Sequence, residues 1–111
     1  MKKVLVLMLF MSFVLVSCIP RYLIPNETDL ATAKGHWAGT TTMELKQGYN
    51  IYIDQCTDCH RLKKLKKYTE EEWLKVMPKM GRKAHLDSTQ YASVLHYILS
   101  KREDILAKKK K

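Results

Sequence analysis

Apolar side chains recur with helical spacing in three blocks of the chain, and no block shows the alternation typical of a strand. The first block predicts a helix over about residues 42–56, with Thr41 and Glu44 three residues apart as a capping box. Its predicted apolar face consists of Leu45, Tyr49, Tyr52, Ile53 and Cys56.

The second block predicts a helix that begins at Thr69, where Glu72 again lies three residues on. Pro78 lacks the amide hydrogen that a continuing helix needs, so we expect a break or kink there. The side chains predicted to face inward are Trp73, Val76 and Met77.

The third block predicts a helix that opens at Asp87, with Leu86 and Tyr91 at the positions of a hydrophobic staple. Its inward stripe is predicted to be Tyr91, Val94, Leu95, Ile98 and Leu99. It ends in a basic tail over residues 108–111, whose charges suit a helix C-terminus or a solvated segment. The three blocks together predict an all-α domain over residues 41–107.

An apolar run over residues 4–16 follows two lysines at the start of the chain. A basic start and a short apolar core are typical of a secretory signal, and the run is too short to favour a transmembrane helix. Residues 15–18, Leu-Val-Ser-Cys, resemble the lipobox of bacterial lipoproteins, in which the cysteine becomes the first residue and carries the lipid. The resemblance implies a signal peptide over residues 1–17 and lipidation of Cys18, on the periplasmic face of a bacterial membrane. An ordinary cleaved signal with a chance cysteine is the alternative.

Residues 18–40 predict a lipid-anchored tether that spaces the domain from the membrane. Prolines and glycines interrupt any periodicity there, and no apolar stripe survives. Trp37, within this segment, is expected to pack on the edge of the domain.

Candidate chemistry concentrates in residues 56–60, Cys-Thr-Asp-Cys-His. Cysteines three residues apart lie on one helical face, so Cys56 and Cys59 can form thioethers with the two vinyl groups on one edge of a porphyrin. The adjacent His60 can then bind the iron below the ring. This pattern is a c-type haem attachment site, and its location on an exported chain agrees with attachment outside the cytoplasm.

Three rival interpretations of the cysteine pair fit less well. A thioredoxin-like dithiol needs a βαβ context, which the helical pattern lacks. A zinc site needs four ligands, and only His36, His85 and His96 remain to join the motif. A disulfide across so short a loop would stabilise the fold little.

The glycine and aromatic residues before the motif extend the pattern. Gly48, Tyr52 and the Cys56–His60 motif resemble the start of class I, monohaem cytochromes c. In that family a glycine on the first helix lets the last helix cross closely, an aromatic one turn later packs in the crossing, and Tyr97-Ile98 resembles the last helix's contribution. The resemblance implies a cytochrome c-like fold, with three main helices wrapped around one covalent haem c.

A subgroup of that family carries a tryptophan seven residues before its methionine ligand. Trp73, Met80 and Leu86 resemble that arrangement, which implies His60 and Met80 as axial ligands; Met77 is the alternative and His85 a weaker candidate. Tyr52 and Trp73 are expected to pack against the haem. A second strong axial ligand suits electron transfer, whereas an empty position would let small molecules bind.

A lysine cluster follows the motif and is expected to lie at one side of the haem crevice. Its members are Lys63, Lys64, Lys66 and Lys67. They form either a solvated face or a docking surface that steers an acidic redox partner. Nucleic acid is excluded as a partner by export.

The sequence therefore predicts an exported, lipid-anchored electron carrier with no independent enzymatic turnover, since no paired acid and base mark a substrate pocket. Two alternatives are a haem subunit of a larger oxidoreductase complex and a ligand-binding or sensor cytochrome.

Overall fold

The computed structural model describes residues 3, 21–54 and 65–109 of the chain. These residues form four α-helices and two short 3-10 turns, with no strand among them, which confirms the predicted all-α class. The helices are α1 (Glu27–His36), α2 (Thr42–Asp54), α3 (Glu70–Lys83) and α4 (Ser88–Lys109), and the 3-10 turns are Arg21–Leu23 and Leu65–Lys67. None of the helices in the described part combines the length and apolar character that crossing a bilayer requires.

Helix α4 is the element on which the rest of the fold packs. Helices α1, α2 and α3 and the turn Leu65–Lys67 all contact it. Its predicted inward stripe is confirmed: Val94, Ile98 and Leu99 are buried, and Tyr91 and Leu95 are partly buried against the core. The other buried apolar side chains are Leu23, Ala33, Leu45, Ile51, Tyr52, Leu65, Trp73, Met77 and Tyr97.

Side-chain caps fix where the predicted helices begin. At the start of α3, Thr69 Oγ1 accepts from the Glu72 amide at 3.2 Å, and a Glu72 carboxylate oxygen accepts from the Thr69 amide at 2.8 Å. Asp87 and Gln90 form the same reciprocal pair before α4, at 2.8 and 3.0 Å. Both starts were predicted correctly, that of α3 from its capping pair and that of α4 from the staple positions of Leu86 and Tyr91. Such signals are readable because the residues that fix a helix start are neighbours in sequence.

A break or kink was predicted at Pro78, and the break is wrong, because helix α3 continues through that proline to Lys83. A proline inside a helix leaves the carbonyl four residues earlier, here that of Leu74, without its usual amide partner. Pro78 and Leu74 both lie on the exposed side of α3. Water can therefore hydrate the freed carbonyl, which lowers the cost of keeping the helix whole.

Residues 21–40 are part of the folded domain, which corrects the predicted tether over its described part. Helix α1 begins with a capping box in which Asn26 Oδ1 accepts from the Asp29 amide at 2.9 Å and Asp29 Oδ2 accepts from the Asn26 amide at 2.8 Å. The helix then packs along α4, with Ala33 fully buried. The prediction for Trp37 is confirmed, since its half-buried ring stacks on His96 with 4.0 Å between ring centroids.

A buried charge cluster holds α1 on α4, and it explains why apolar periodicity missed this helix. Lys101 Nζ lies 2.6 Å from Asp29 Oδ2 and 3.6 Å from Asp104 Oδ2, and all three side chains are buried. Asn26 Nδ2 also donates to Asp104 Oδ2, at 3.2 Å. The buried face of α1 is therefore partly ionic, and its partners lie far along the chain.

Helices α2 and α4 cross without room for a side chain at Gly48. A Cβ atom there would come within 2.7 Å of the Ser93 carbonyl carbon and 2.8 Å of Tyr97 Cβ, and closer still to the Ser93 carbonyl oxygen. The Tyr52 ring lies one turn further along α2, with its centroid 5.7 Å from that of Tyr97. The close crossing and the aromatic contact expected at these positions are both present.

Candidate functional site

The Cys-Thr-Asp-Cys-His motif itself, with Cys56, Cys59 and His60, lies outside the described residues. So do Cys18, Lys63 and Lys64. The description stops at Asp54 and resumes at Leu65, so the structure informs the site through the residues that flank the motif on each side.

On the N-terminal side, the last turn of α2 is fixed in the core. Ile51 and Tyr52 are buried, and Tyr52 lies one turn before Cys56 in the sequence. Tyr49 adds an edge contact to the same Tyr97 ring, with 5.7 Å between centroids. The chain therefore enters the motif from a helix end that an aromatic cluster holds against α4.

On the C-terminal side, Trp73 holds the chain where it leaves the motif segment. Its indole Nε1 donates to the Leu65 carbonyl oxygen at 2.8 Å, and both side chains are buried. The Tyr68 ring meets the indole edge-on at 5.1 Å, and Arg102 Nε of α4 donates to the Tyr68 carbonyl oxygen at 2.8 Å. Trp73 thus has a structural partner in addition to its predicted role beside a haem.

Both flanks pack on α4, because α2 and the turn Leu65–Lys67 each contact that helix. The segment 55–64 therefore starts and ends at points held by one rigid element.

The two candidate methionine ligands lie in different surroundings on α3. Met77 is 1% exposed, in the core beside the other buried residues, whereas Met80 is half-buried against its edge. The chain does not leave the helix between them: the Met80 carbonyl accepts from the Ala84 amide at 2.9 Å, within the last turn of α3. Both methionines therefore lie within one continuous helix, while the choice of ligand stays a prediction.

The remaining histidines of the described chain have other partners or surroundings. His96 Nδ1 lies 2.6 Å from Glu44 Oε1, and His36 Nε2 lies 3.3 Å from Glu103 Oε1. His85 is exposed just beyond α3, with a positive φ of 56°. Among the described residues, no group of three or more His, Cys, Asp or Glu side chains could hold a metal ion.

Tyr97 is a fully buried side chain in ring contact with Tyr49 and Tyr52 at the motif's N-terminal flank. Its hydroxyl donates to the Leu23 carbonyl oxygen and is fully buried. Burial raises the pKa of Tyr97, and the nearby Tyr52 hydroxyl and Asp29 carboxylate act in the same direction. Tyr97 therefore stays protonated and serves as a hydrogen-bond donor that joins α4 to the N-terminal turn.

Of the predicted docking lysines, Lys66 and Lys67 fall within the description, and both are exposed. Lys67 Nζ lies 5.9 Å from the centroid of the Tyr68 ring, which is itself in contact with Trp73. Positive charge is thus displayed directly beside the C-terminal flank of the motif.

Sequence reasoning missed the charge cluster of Asp29, Lys101 and Asp104. One signal was available, since Asn26 followed three residues later by Asp29 is a helix-start pattern. The pairing with Lys101 had no local signal.

No protein-family model, curated protein or solved structure matches this chain.

Proposed function

We propose that the protein is an exported, lipid-anchored electron carrier with one c-type haem, bound through Cys56 and Cys59 and ligated by His60. The observation that carries this proposal is the Cys-x-x-Cys-His pattern, because its two thiols and adjacent imidazole supply the donors for two thioethers and one iron bond. The haem, when bound, supplies a one-electron couple at the iron.

The described residues fit such a group on both sides of the motif. Tyr52 and Trp73, expected to pack against the porphyrin, are buried at the two ends of the segment 55–64. The close α2–α4 crossing at Gly48 also agrees with the resemblance to class I cytochromes c. These contacts would orient the attachment segment and exclude water from the inner edge of the ring.

Met80 remains the proposed sixth ligand, with Met77 as the alternative. Met80 is favoured because its half-buried side chain can leave the edge of the core at little cost. Withdrawing Met77 from its buried position would open a cavity, which costs about 2–5 kcal/mol in core methionine truncations. A methionine ligand would favour the ferrous form and raise the potential.

The test is an optical spectrum and a mass of the mature protein, produced with a cytochrome c maturation system. We expect covalent haem bands and a mass increase of one haem. Both should be lost in Cys56→Ala/Cys59→Ala. His36→Ala, which alters an exposed histidine outside the motif, is the matched control for His60→Ala. A colourless, correctly exported protein without added mass would overturn the proposal.

A ligand-binding cytochrome is a second candidate, favoured by the position of both methionines within α3. Carbon monoxide binding to the reduced protein at neutral pH would support it. A persistent near-infrared band of methionine ligation, lost in Met80→Ala and kept in Met43→Ala, would support electron transfer. A haem subunit of a larger oxidoreductase would show the same spectrum and would copurify with its enzyme.

A further inference from the structure

Two exposed apolar side chains lie two residues apart in sequence, in and just after the turn Arg21–Leu23. Tyr22 is 58% exposed and Ile24 is 49% exposed, on either side of the buried Leu23. The other exposed large apolar residues of the described chain, Met43 and Leu74, lie apart from them on α2 and α3. Exposed apolar side chains this close along the chain offer a small apolar surface, of the kind that can enter the headgroup boundary of a bilayer.

The turn is held firmly, so its exposed side chains do not result from a frayed end. The Leu23 carbonyl accepts from the Tyr97 hydroxyl, and the Ile24 carbonyl accepts from Lys101 Nζ at 2.9 Å. Both donors are buried residues of α4. The backbone of the turn is therefore anchored while Tyr22 and Ile24 face outward.

Basic side chains lie beside this turn, at the end of α4. Asp104 Oδ2 accepts from Asn26 Nδ2 at 3.2 Å and from Lys108 Nζ at 3.1 Å, which places Lys108 next to the N-terminal segment. Lys108, Lys109 and Arg21 are exposed, and the sequence adds Lys110 and Lys111 beyond the described part. We call Arg21, Tyr22, Ile24, Lys108 and Lys109 the terminal face.

We propose that the terminal face rests on an anionic lipid bilayer. An aromatic and an aliphatic side chain bordered by cations match the interface of such a bilayer, where apolar groups enter the headgroup boundary and lysines meet lipid phosphates. The formal net charge of residues 18–111, which is +7 without Lys2 and Lys3, acts in the same direction. A neutral or cationic partner would gain no electrostatic attraction from the lysines.

The position of the terminal face in the sequence, close to the predicted lipid anchor, favours the membrane as its partner. Arg21 follows the predicted lipid-bearing Cys18 by three residues, which reach at most about 10 Å when extended. An anchor at Cys18 would therefore hold this face at the bilayer, and in that respect the inference rests on the proposed lipid anchor. Since the Asp29–Lys101 pair fixes the N-terminal segment on α4, the domain would lie on the membrane in one orientation.

The test uses the haem-loaded mature chain, residues 18–111, with Cys18→Ser so that no lipid contributes. Binding is measured by co-sedimentation with phosphatidylcholine vesicles, with and without phosphatidylglycerol. We expect binding only to the anionic vesicles, weakening as salt rises. Tyr22→Ser/Ile24→Ser should lower the affinity about tenfold through lost apolar burial. Lys108→Gln/Lys109→Gln should lower it about tenfold through lost attraction to the headgroups.

Matched controls change the same chemistry elsewhere. Met43→Ser/Leu74→Ser removes two exposed apolar side chains, and Lys75→Gln/Lys79→Gln removes two exposed charges from α3. Affinities unchanged in both controls support the terminal face. Equal losses in the test and control pairs, self-association without vesicles, or no binding to anionic vesicles would overturn it. The haem spectrum and the lipid mass of the native protein are read separately, so these results do not bear on the proposed function.

Discussion

Gly48 is the residue on which the crossing of α2 and α4 depends. Gly48→Ala would drive a methyl group into the backbone of Ser93, and a backbone carbonyl cannot rotate away as a side chain can. We expect a loss of about 3 kcal/mol in the free energy of unfolding, measured by urea denaturation.

Gly35→Ala is the matched control, because nothing lies within 4 Å of a Cβ at this exposed position in the last turn of α1. We expect a gain of about 0.5 kcal/mol there, since alanine favours the helix and restricts the unfolded chain. If both substitutions had equal effects, the close crossing would not be what requires glycine at position 48.

Trp73 has a structural role of its own, besides the role proposed for it beside a haem. Trp73→Phe keeps an aromatic ring but leaves the buried Leu65 carbonyl without its indole donor. We expect a loss of about 2 kcal/mol in unfolding free energy. Tyr68→Phe, which preserves the edge contact with Trp73, should change stability much less. A loss in Trp73→Phe as small as that in Tyr68→Phe would show that ring packing, and not the hydrogen bond, holds this segment.

At the scale of elements, helices whose signals are local in sequence were predicted, and the helix whose packing depends on a distant residue was not. The starts of α3 and α4 were predictable because Thr69 with Glu72, and Asp87 with Gln90, are near neighbours that cap their own helix. Helix α1 was missed because its burial depends on Lys101, which periodicity within residues 27–36 cannot show. The break predicted at Pro78 was wrong for a related reason. Sequence shows that proline removes one helical hydrogen bond, but the free-energy cost of that loss depends on whether the freed carbonyl reaches water, which the sequence does not show.

The charge cluster beneath α1 gives a pH-dependent prediction. Burial raises the pKa of Asp29, and the hydrogen bond from Lys101 opposes that rise. Lys101→Met removes this opposition, so Asp29 becomes a buried, unpaired carboxylate at neutral pH. We expect a loss of about 3–5 kcal/mol in unfolding free energy at pH 7.

The sign of the pH effect follows from the raised pKa. A carboxyl group whose folded pKa exceeds its unfolded value favours folding when protonated, so the penalty in Lys101→Met should shrink as the pH falls toward the usual value of 3.8. Urea unfolding at neutral and acid pH measures this, and Lys75→Met, at an exposed site on α3, is the control. Adding Asp29→Asn should restore part of the loss at pH 7; an unchanged penalty at both pH values would contradict the ion-pair account.

At the scale of the whole molecule, the helical framework and the chemistry of residues 56–60 are specified by different parts of the sequence. Apolar spacing and caps predicted α2, α3 and α4, whereas the chemistry proposed for the motif rests on its residue types alone. The position of Met80 was the least predictable feature, since it depends on whether α3 continues past Pro78. The docking of the N-terminal segment converts an expected spacer into part of the domain.

The exposed lysines beside the motif's C-terminal flank allow a test of how the proposed electron carrier would meet an acidic redox partner. If Lys66 and Lys67 steer an acidic partner, Lys66→Gln/Lys67→Gln should slow electron transfer about three- to tenfold at low salt. The difference should vanish at high salt, where screening shortens the reach of each charge to about 3 Å. Stopped-flow oxidation of an acidic redox protein measures the electron-transfer rate at low and at high salt.

Lys75→Gln/Lys79→Gln is the control, because it lowers the net charge equally. An equal slowing in that variant would assign the effect to overall charge instead of to this site. Reduction by uncharged hydroquinone should be the same in all variants, because an uncharged reagent experiences no steering field.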